Sequence, residues 1–457
     1  MKKESLDELI EITDINSDGC GVGRTAGGKV IFVRGAVTGD TVKADIIKCA
    51  KDYDVCSVRE TVVPSPDRCE PCRYSKRCGG CVYSAITYAA ELRHKERFVT
   101  KELRKAIPHD TPIEPIAYGE SERYRNKAAY PVGYDGSGKL SFGYYARHSH
   151  DIVFHSSCLL QDDAFASLAR AFLDSAQRLG LTPYDEKSGK GLLRHLVIRR
   201  NENGELMLCV VINAGALPFQ DVFASELAKA FPELRSFSYS PNLENTNVIT
   251  GSTYVEVFGS GLTDTVCGKT FSLSPLSFWQ VNRAMAQRLY CKAAEYAASG
   301  DGRRIFLDLY CGTGTVGLST AAPDDRLFGV EIIPQAVKDA AWNAKQNGRS
   351  ESTTRFICGD ASLGVDECTR VFGKPDVILA DPPRKGLSDE VITLMADAAP
   401  ERIVYISCNP STLARDLKKF ASRGYICRRA APFDLFPRTF HVETVVCLSK
   451  SIDSDLL

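Results

Sequence analysis

The stretch Arg304-Ile-Phe-Leu-Asp308-Leu-Tyr-Cys-Gly-Thr-Gly314-Thr-Val-Gly317 joins a short apolar strand to a helix through a turn rich in glycine. Glycines remove Cβ atoms where backbone must approach a ligand closely, and the helix that follows aims its positive end at it. The same strand, turn and helix order recurs further along the chain. Leu327 to Glu331, Asp376 to Ala380 and Ile403 to Ser407 are further short apolar strands separated by helical stretches. That pattern predicts a doubly wound parallel sheet. Glu331 ends the next strand about twenty residues on, the spacing at which a carboxylate grips a ribose diol, and Asp360 follows the strand-like Thr354 to Cys358.

The glycine turn alone does not choose the ligand. Gly312-x-Gly314-x-x-Gly317 matches a dinucleotide spacing, so a nicotinamide-linked oxidoreductase is a rival, whereas Asp308 four residues ahead is a feature of S-adenosylmethionine sites. Asp381-Pro-Pro-Arg-Lys-Gly386 favours the second. A carboxylate fixed at a strand end by two φ-locked prolines suits a pocket that orients a planar base beside a sulfonium. One segment later, Arg402-Ile-Val-Tyr-Ile-Ser-Cys408-Asn-Pro-Ser places a single cysteine where a strand ends. A helix that Ser411 or Thr412 can cap follows, and its unpaired N–H groups are expected to favour the Cys408 thiolate, the nucleophilic form.

At 457 residues the chain is long enough for two to four domains. No apolar run reaches membrane-spanning length, and Met1-Lys-Lys-Glu-Ser-Leu-Asp lacks the core of a signal peptide, so a cytoplasmic location without membrane association is expected. The 17 cysteines do not resemble a secreted disulfide framework and are expected to be mostly reduced. With 57 basic and 57 acidic residues, any nucleic-acid partner must be recognised by local charge. Between Asp67 and Lys105 ten basic residues oppose five acidic ones; from Glu91 to Lys105 they recur at helical spacing, as on a solvated helix face.

Three domains are expected. Residues 1–66 hold short β segments at 9–15, 29–33, 40–48 and 54–62, which can bury enough surface by curling into a five-stranded OB-like barrel, either an oligonucleotide binder or a protein-binding adaptor. Pro64-Ser-Pro66 punctuates the chain. Residues 67–275 read as a central α/β domain, with a helix over 84–105 that can pack on the catalytic domain, a helix over 162–179 and a strand over 206–212. Residues 276–457 form the Rossmann-like α/β domain, with Ser449 to Leu457 as a mobile tail. The central domain opens with Cys69, Cys72, Cys78 and Cys81. Cys72-x5-Cys78-x2-Cys81 is compact enough for one inorganic centre, and Cys69 as the nearest fourth thiolate would make a structural zinc site.

Taken together, Asp308-Leu-Tyr-Cys-Gly-Thr-Gly314, Asp381-Pro-Pro-Arg384, Ser407-Cys-Asn-Pro410 and His441-Val-Glu-Thr444 resemble the RNA uracil-5 methyltransferases. Tyr124-Arg-Asn-Lys127, Phe278-Trp-Gln-Val-Asn282 and Asp434-Leu-Phe-Pro437 are similar to further signatures of that family. Gly19-Cys-Gly-Val-Gly23 and Phe32-Val-Arg-Gly-Ala36 resemble the RNA-binding TRAM domain of its ribosomal RNA branch. The resemblance implies a class I methyltransferase that uses S-adenosylmethionine to form 5-methyluridine, with 23S ribosomal RNA as partner, transfer RNA as the alternative, and no obligate protein partner. It implies Cys408 as the nucleophile at uracil C6 and Glu443 as the base that removes the C5 proton. Gln280 and Asp381 fall where cofactor and uracil meet, and Asp308, Tyr310, Gly312, Gly314, Glu331 and Asp360 fall on the cofactor. Phe278 is either a base-stacking ring or a core aromatic. The resemblance further implies a [4Fe-4S] cluster on Cys72, Cys78, Cys81 and the distant Cys158, against zinc as the alternative, and leaves Cys69 as a spare thiol. A non-catalytic RNA-binding module would have no reason to pair Cys408 with Glu443.

Overall fold

A computed structural model describes residues 5–298 and 302–451. They divide into two units, one comprising Met1–Phe98, Tyr145–Val153 and Phe436–His441, the other Val99–Tyr144, Phe154–Leu435 and Val442–Leu457. Among the described residues no helix is long and apolar enough to cross a membrane.

The first unit starts with six strands: β1 (Ser5–Glu11), β2 (Asp14–Ile15), β3 (Gly21–Arg24), β4 (Val30–Arg34), β5 (Thr41–Cys49) and β6 (Tyr53–Val63). They form one sheet in the order β1-β5-β6-β4-β3-β2. Irregularities in the β5–β6 register bend these long strands, and alternating residues such as Ile31, Val33, Val42 and Ala44 fill the inside. The four strands expected from the sequence are present, the first broken in two. β3 was not expected, because glycines weaken a strand pattern. Its glycines serve close approach: a Cβ on Gly21 would lie 2.7 Å from Ile12 Cγ2, and one on Gly23 2.6 Å from Ile10 Cγ2.

Helix α1 (Tyr88–Leu103) departs from the solvated face expected of its charges. Glu91 and Lys95, one turn apart, are fully buried and paired at 2.7 Å. The Lys95 ammonium also donates to the Phe436 carbonyl, and the Arg438 N–H donates to Glu91, so the pair anchors Phe436–His441 onto the helix. Removing one partner would leave the other charge buried, at a cost of about 3–5 kcal/mol.

The second unit carries two sheets with covering helices. Its first part holds β7 (Lys127–Tyr134), β8 (Leu140–Tyr145), the end of β9 (Ile152–Phe154, of which Ile152 and Val153 belong to the first unit), α2 (Asp163–Arg178), β10 (Leu193–Arg200), β11 (Leu206–Ile212), α3 (Gln220–Ala230), β12 (Leu234–Pro241) and β13 (Val255–Phe258). Here β13-β12-β11-β10-β7-β8 are neighbours, and α2 packs Phe165, Leu168 and Phe172 into the core beside Leu196, Ile198 and Phe237. Asp162 caps α2 by accepting from the Ala164 N–H. The hairpin β14 (Leu262–Val266) and β15 (Lys269–Leu273) leads into α4 (Arg283–Ala297).

From there the doubly wound pattern appears: β16 (Ile305–Leu309), α5 (Thr315–Thr320), β17 (Arg326–Glu331), α6 (Pro334–Gln346), β18 (Thr354–Cys358), α7 (Gly364–Val371), β19 (Val377–Ala380), α8 (Asp389–Asp397), β20 (Arg402–Ser407), α9 (Pro410–Ala421), β21 (Tyr425–Phe433) and β22 (Glu443–Lys450). The strand order is β18-β17-β16-β19-β20-β22-β21. β22 runs antiparallel to both neighbours; the other pairings are parallel except at that edge. Phe306, Leu307, Leu327, Phe328, Ile378, Leu379 and Val404 are buried throughout, as expected of strands covered on both faces. The order reverses between β16 and β19, so a crevice opens at the carboxyl ends of those strands. Ser449 and Lys450, expected in the tail, close β22, and the remainder of that expected tail from residue 452 lies outside the described residues.

Candidate active site

The cofactor edge begins at Asp308. It is buried near the end of β16 and accepts from the Gly317 N–H at 2.9 Å, tying the start of α5 to the strand. A Cβ on Gly317 would sit 2.7 Å from that carboxylate oxygen, so the contact requires glycine. Burial, followed by the charges of Asp381 and Glu331, pushes the Asp308 carboxyl up to about 8. The turn then alternates left-handed residues, Tyr310 at φ 64°, Gly312 at 54° and Gly314 at 79°. Tyr310 is strained by this conformation, on the order of 1–2 kcal/mol. Strain of this kind persists only where its surroundings fix it.

Glu331, at the end of β17, accepts from the Gly312 N–H at 3.1 Å and from the Ile333 N–H at 3.0 Å, which holds its carboxylate at the lip of the glycine turn. In front of Gly312 no atom lies within 4 Å of the position a Cβ would take. Asp360 turns the chain after β18 by accepting from the Ser362 N–H. Ile332 and Leu363, next to these two acids, are 66% and 52% exposed. They are brought to one rim, since the Gly359 N–H bonds the Glu331 carbonyl and a Cβ on Gly359 would touch Leu363. Carboxylates for a ribose, apolar side chains for a base and open space before a glycine turn fit S-adenosylmethionine. The apolar rim was not legible in the sequence, because isolated aliphatic residues after strands read as core.

Asp381 follows β19, one strand further, and its N–H reaches the Leu309 carbonyl. Cys408 follows β20. Ser407 pairs with Thr444 and Ile406 with Val445, so Cys408, just past β20, and Glu443, the first residue of β22, are the next residues along the two antiparallel segments, and the charge of Glu443 acts on the Cys408 thiol. Burial pushes both the Asp381 and Glu443 carboxyls well above the usual carboxylate range; the charge of Asp381 adds to the rise at Glu443, and Arg384 opposes it.

The thiol does not behave as expected from the sequence. Burial, then the charges of Glu443 and Asp381, push Cys408 up to about 11, against a smaller pull from Arg384. The start of α9 also offers a thiolate less than the sequence suggested. Asn409, not Ser411 or Thr412, is the cap, and its side chain occupies the Ser411 N–H at 3.1 Å; Pro410 has no N–H at all. Two donors expected to favour the thiolate are therefore taken or missing.

Arg384 owes its place to a clamp the sequence did not reveal. Asp416, buried on α9, accepts from the Leu387 N–H and the Tyr405 hydroxyl, both at 2.9 Å, and from Arg415. Arg415 in turn donates to the Lys385 and Leu387 carbonyls, and the Asn409 amide donates to the Arg384 carbonyl. The loop bearing Asp381 and Arg384 is thereby fastened to the helix behind Cys408. Asp416→Ala is expected to destabilise the protein by about 3–5 kcal/mol in urea unfolding, because a buried N–H, a hydroxyl and a guanidinium lose their acceptor.

Gln280 lies two residues before the α4 cap Asn282, and its backbone carbonyl accepts from Asn126 at 2.9 Å. Phe278 is 72% exposed, between buried Ser277 and Trp279. That exposure removes the core alternative for Phe278.

The cysteine cluster lies in the first unit. Cys72, Cys78 and Cys81 are half-buried, as is Cys69, whose N–H bonds the Ala85 carbonyl. The loop is held by the Gly79 N–H on the Tyr145 carbonyl and by Arg147 on the Cys81 carbonyl. Cys158 belongs to the second unit, where its carbonyl accepts from the Gln161 N–H. Among the described residues no group of three or more His, Cys, Asp or Glu side chains is arranged to hold a metal ion.

Comparison with known proteins matches this geometry. Residues 264–451 match the tRNA (Uracil-5-)-methyltransferase family, and residues 8–53 match the TRAM domain. An uncharacterized RNA methyltransferase of Halalkalibacterium halodurans is 36% identical over 448 residues, 96% of this chain and 97% of that protein. The chain belongs to the RNA uracil-5 methyltransferase family. It is a methyltransferase dependent on S-adenosylmethionine, with a strand-rich TRAM domain ahead of a class I methyltransferase fold. A second uncharacterized RNA methyltransferase, of Clostridium tetani, is 34% identical, covering 98% of this chain and 97% of that protein. In fold, the methyltransferase is similar to the Pyrococcus abyssi tRNA (uracil-54, C5)-methyltransferase in complex with S-adenosyl-L-homocysteine, with a TM-score of 0.78, 23% identity, and coverage of 96% of this chain and all of that one.

Proposed function

We propose that this methyltransferase converts uridine to 5-methyluridine in 23S ribosomal RNA through a covalent bond from Cys408 to the base. The mechanism is supported by the β20–β22 pairing, which ends on Ser407 and Thr444 with Cys408 and Glu443 as the next residues of the two segments, and by the charge of Glu443 acting on the Cys408 thiol. Uracil C5 is too weak a nucleophile to be alkylated unaided. Addition of the Cys408 sulfur at C6 drives electron density onto C5 and O4. S-adenosylmethionine, when bound, supplies the electrophilic methyl group. Glu443, held in a buried pocket with a raised affinity for protons, takes the C5 proton, and the C6–sulfur bond then breaks to restore the ring. Asp381 orients the base, Gln280 borders base and cofactor, and exposed Phe278 stacks on a neighbouring base.

On this proposal Glu331, Asp308, Tyr310, Gly312, Gly314 and Asp360 hold the cofactor. Glu331→Ala should weaken S-adenosylmethionine binding by about 10–100-fold in calorimetry, through loss of charge-assisted hydrogen bonds. An affinity unchanged by the substitution would remove Glu331 from the site. The substrate choice rests on the resemblance of the TRAM and cysteine-bearing regions to the ribosomal RNA branch, with transfer RNA as the second reading. Methyl transfer from radiolabelled donor to transcribed 23S fragments and to transfer RNA decides between them, and label in transfer RNA alone overturns the ribosomal assignment.

For the cysteines, we propose a [4Fe-4S] cluster on Cys72, Cys78, Cys81 and Cys158, supported by the spacing of the first three and by the resemblance. Anaerobically purified protein is expected to be brown, with iron and sulfide in equal amounts, and Cys78→Ser to be colourless. A colourless wild-type protein carrying zinc would replace iron–sulfur with a structural thiolate site.

A further inference from the structure

Two cysteines outside the catalytic and cluster sets meet. Cys267 and Gly268 form the two-residue turn between β14 and β15, where Val266 pairs with Lys269. Both have left-handed backbone, φ 50° and 69°, the conformation of a hairpin turn that normally selects asparagine or glycine at its first position. A cysteine there is strained, and nothing in the turn itself calls for it. Its sulfur lies 3.6 Å from the Cys291 sulfur, which is carried midway along α4. The turn is steadied against the helix by Gln287, whose amide oxygen accepts from the Cys267 N–H and whose carbonyl accepts from its thiol. Cys291 is exposed and Cys267 half-buried, so an oxidant reaches the helix cysteine first.

We propose that Cys267 and Cys291 are a dithiol that a two-electron oxidant of the peroxide class closes to a disulfide. The Cys291 sulfur attacks one peroxide oxygen, giving a sulfenic acid and one water. The Cys267 sulfur, losing its proton, then attacks the Cys291 sulfur and expels a second water. Two thiols and one hydrogen peroxide become one disulfide and two waters, and a thiol reductant reverses the change. Burial and the neighbouring sulfur push the Cys267 thiol up to about 12, and the exposed position of Cys291 makes it the attacking member. The sulfurs need only close from van der Waals contact to bonding distance. The bond would close a ring containing Phe278, Gln280 and Asn282, so oxidation tethers the segment that leads into α4.

The test uses the full reduced chain, treated with hydrogen peroxide, blocked with iodoacetamide in denaturant, digested and read by mass spectrometry. A peptide linking Cys267 to Cys291 is expected, lighter by two hydrogens than the separate thiol peptides and abolished by dithiothreitol. Cys291→Ser should lose the link and leave Cys267 fully alkylated. Cys267→Asn, which suits the left-handed turn and guards against misfolding, should also lose it while Cys291 is oxidised alone. Cys358 is an exposed single thiol and serves as the internal reference. If Cys291 is consumed no faster than Cys358 and no linked peptide forms, the proposal is overturned. The outcome does not depend on which RNA is methylated.

Discussion

Cys408→Ala is expected to abolish methyl transfer while leaving binding of S-adenosylmethionine unchanged. Without sulfur addition at C6, the uracil ring has no route to a nucleophilic C5, and loss of a covalent nucleophile typically costs about 10⁴-fold or more in kcat. The alanine removes only a half-exposed side chain beyond the end of β20, so the fold should persist. RNA containing 5-fluorouridine provides the second measurement. Fluorine at C5 cannot be removed as a proton, so wild-type protein should remain joined to the RNA on a denaturing gel, and the Cys408→Ala protein should not. Because the free thiol is pushed up to about 11, adduct formation in wild type should quicken as pH rises from 6 to 9. Unchanged turnover in the alanine protein would end the covalent mechanism.

The parts of the molecule legible in the sequence are those whose physics is local. Ile305–Leu309 and Arg402–Ser407 read as strands because strands covered on both faces are continuously apolar. Gly21–Arg24 did not, because its glycines answer to Ile10 and Ile12 on another strand. The same division holds at the site. Asp308, Glu331 and Asp360 each end a strand beside a turn and could be placed by spacing alone. Glu443 could be singled out only by resemblance, since a lone carboxylate at a strand start looks like a surface residue until the β20–β22 pairing brings its segment alongside that of Cys408.

Charges buried by distant partners left no trace at all. Asp416 lies within a helix, where an aspartate ordinarily faces water, and its partners Leu387 and Tyr405 come from a loop and a strand. Glu91 and Lys95 have the spacing of an exposed helical pair, and the Phe436–His441 segment that bonds to them lies more than 300 residues away in the chain. The expected Cys408 thiolate failed for a related reason. Counting helix N–H groups from sequence ignored that Asn409 would take one and Pro410 would supply none.

Glu443→Gln is expected to separate the two halves of the reaction. The amide fills the same space but cannot accept the C5 proton, so methyl transfer can proceed while release cannot, and a protein–RNA species carrying the new methyl group should accumulate with unmodified RNA. Turnover should fall by about 10²–10⁴-fold, the usual range for loss of a general base. Stability should move the other way. The folded carboxyl binds its proton more tightly than the unfolded one, so its contribution is present at low pH and lost as pH rises above the ordinary carboxylate range. The neutral amide does not suffer that loss. Relative to wild type, Glu443→Gln should melt higher at pH 8, by about 1 °C for each kcal/mol in a chain of 457 residues, and the difference should vanish near pH 5. Equal melting differences at both pH values would show that Glu443 is not buried as a charge. Absence of the stalled adduct, with turnover intact, would assign proton removal to another group, of which Asp381 is the carboxylate already facing it.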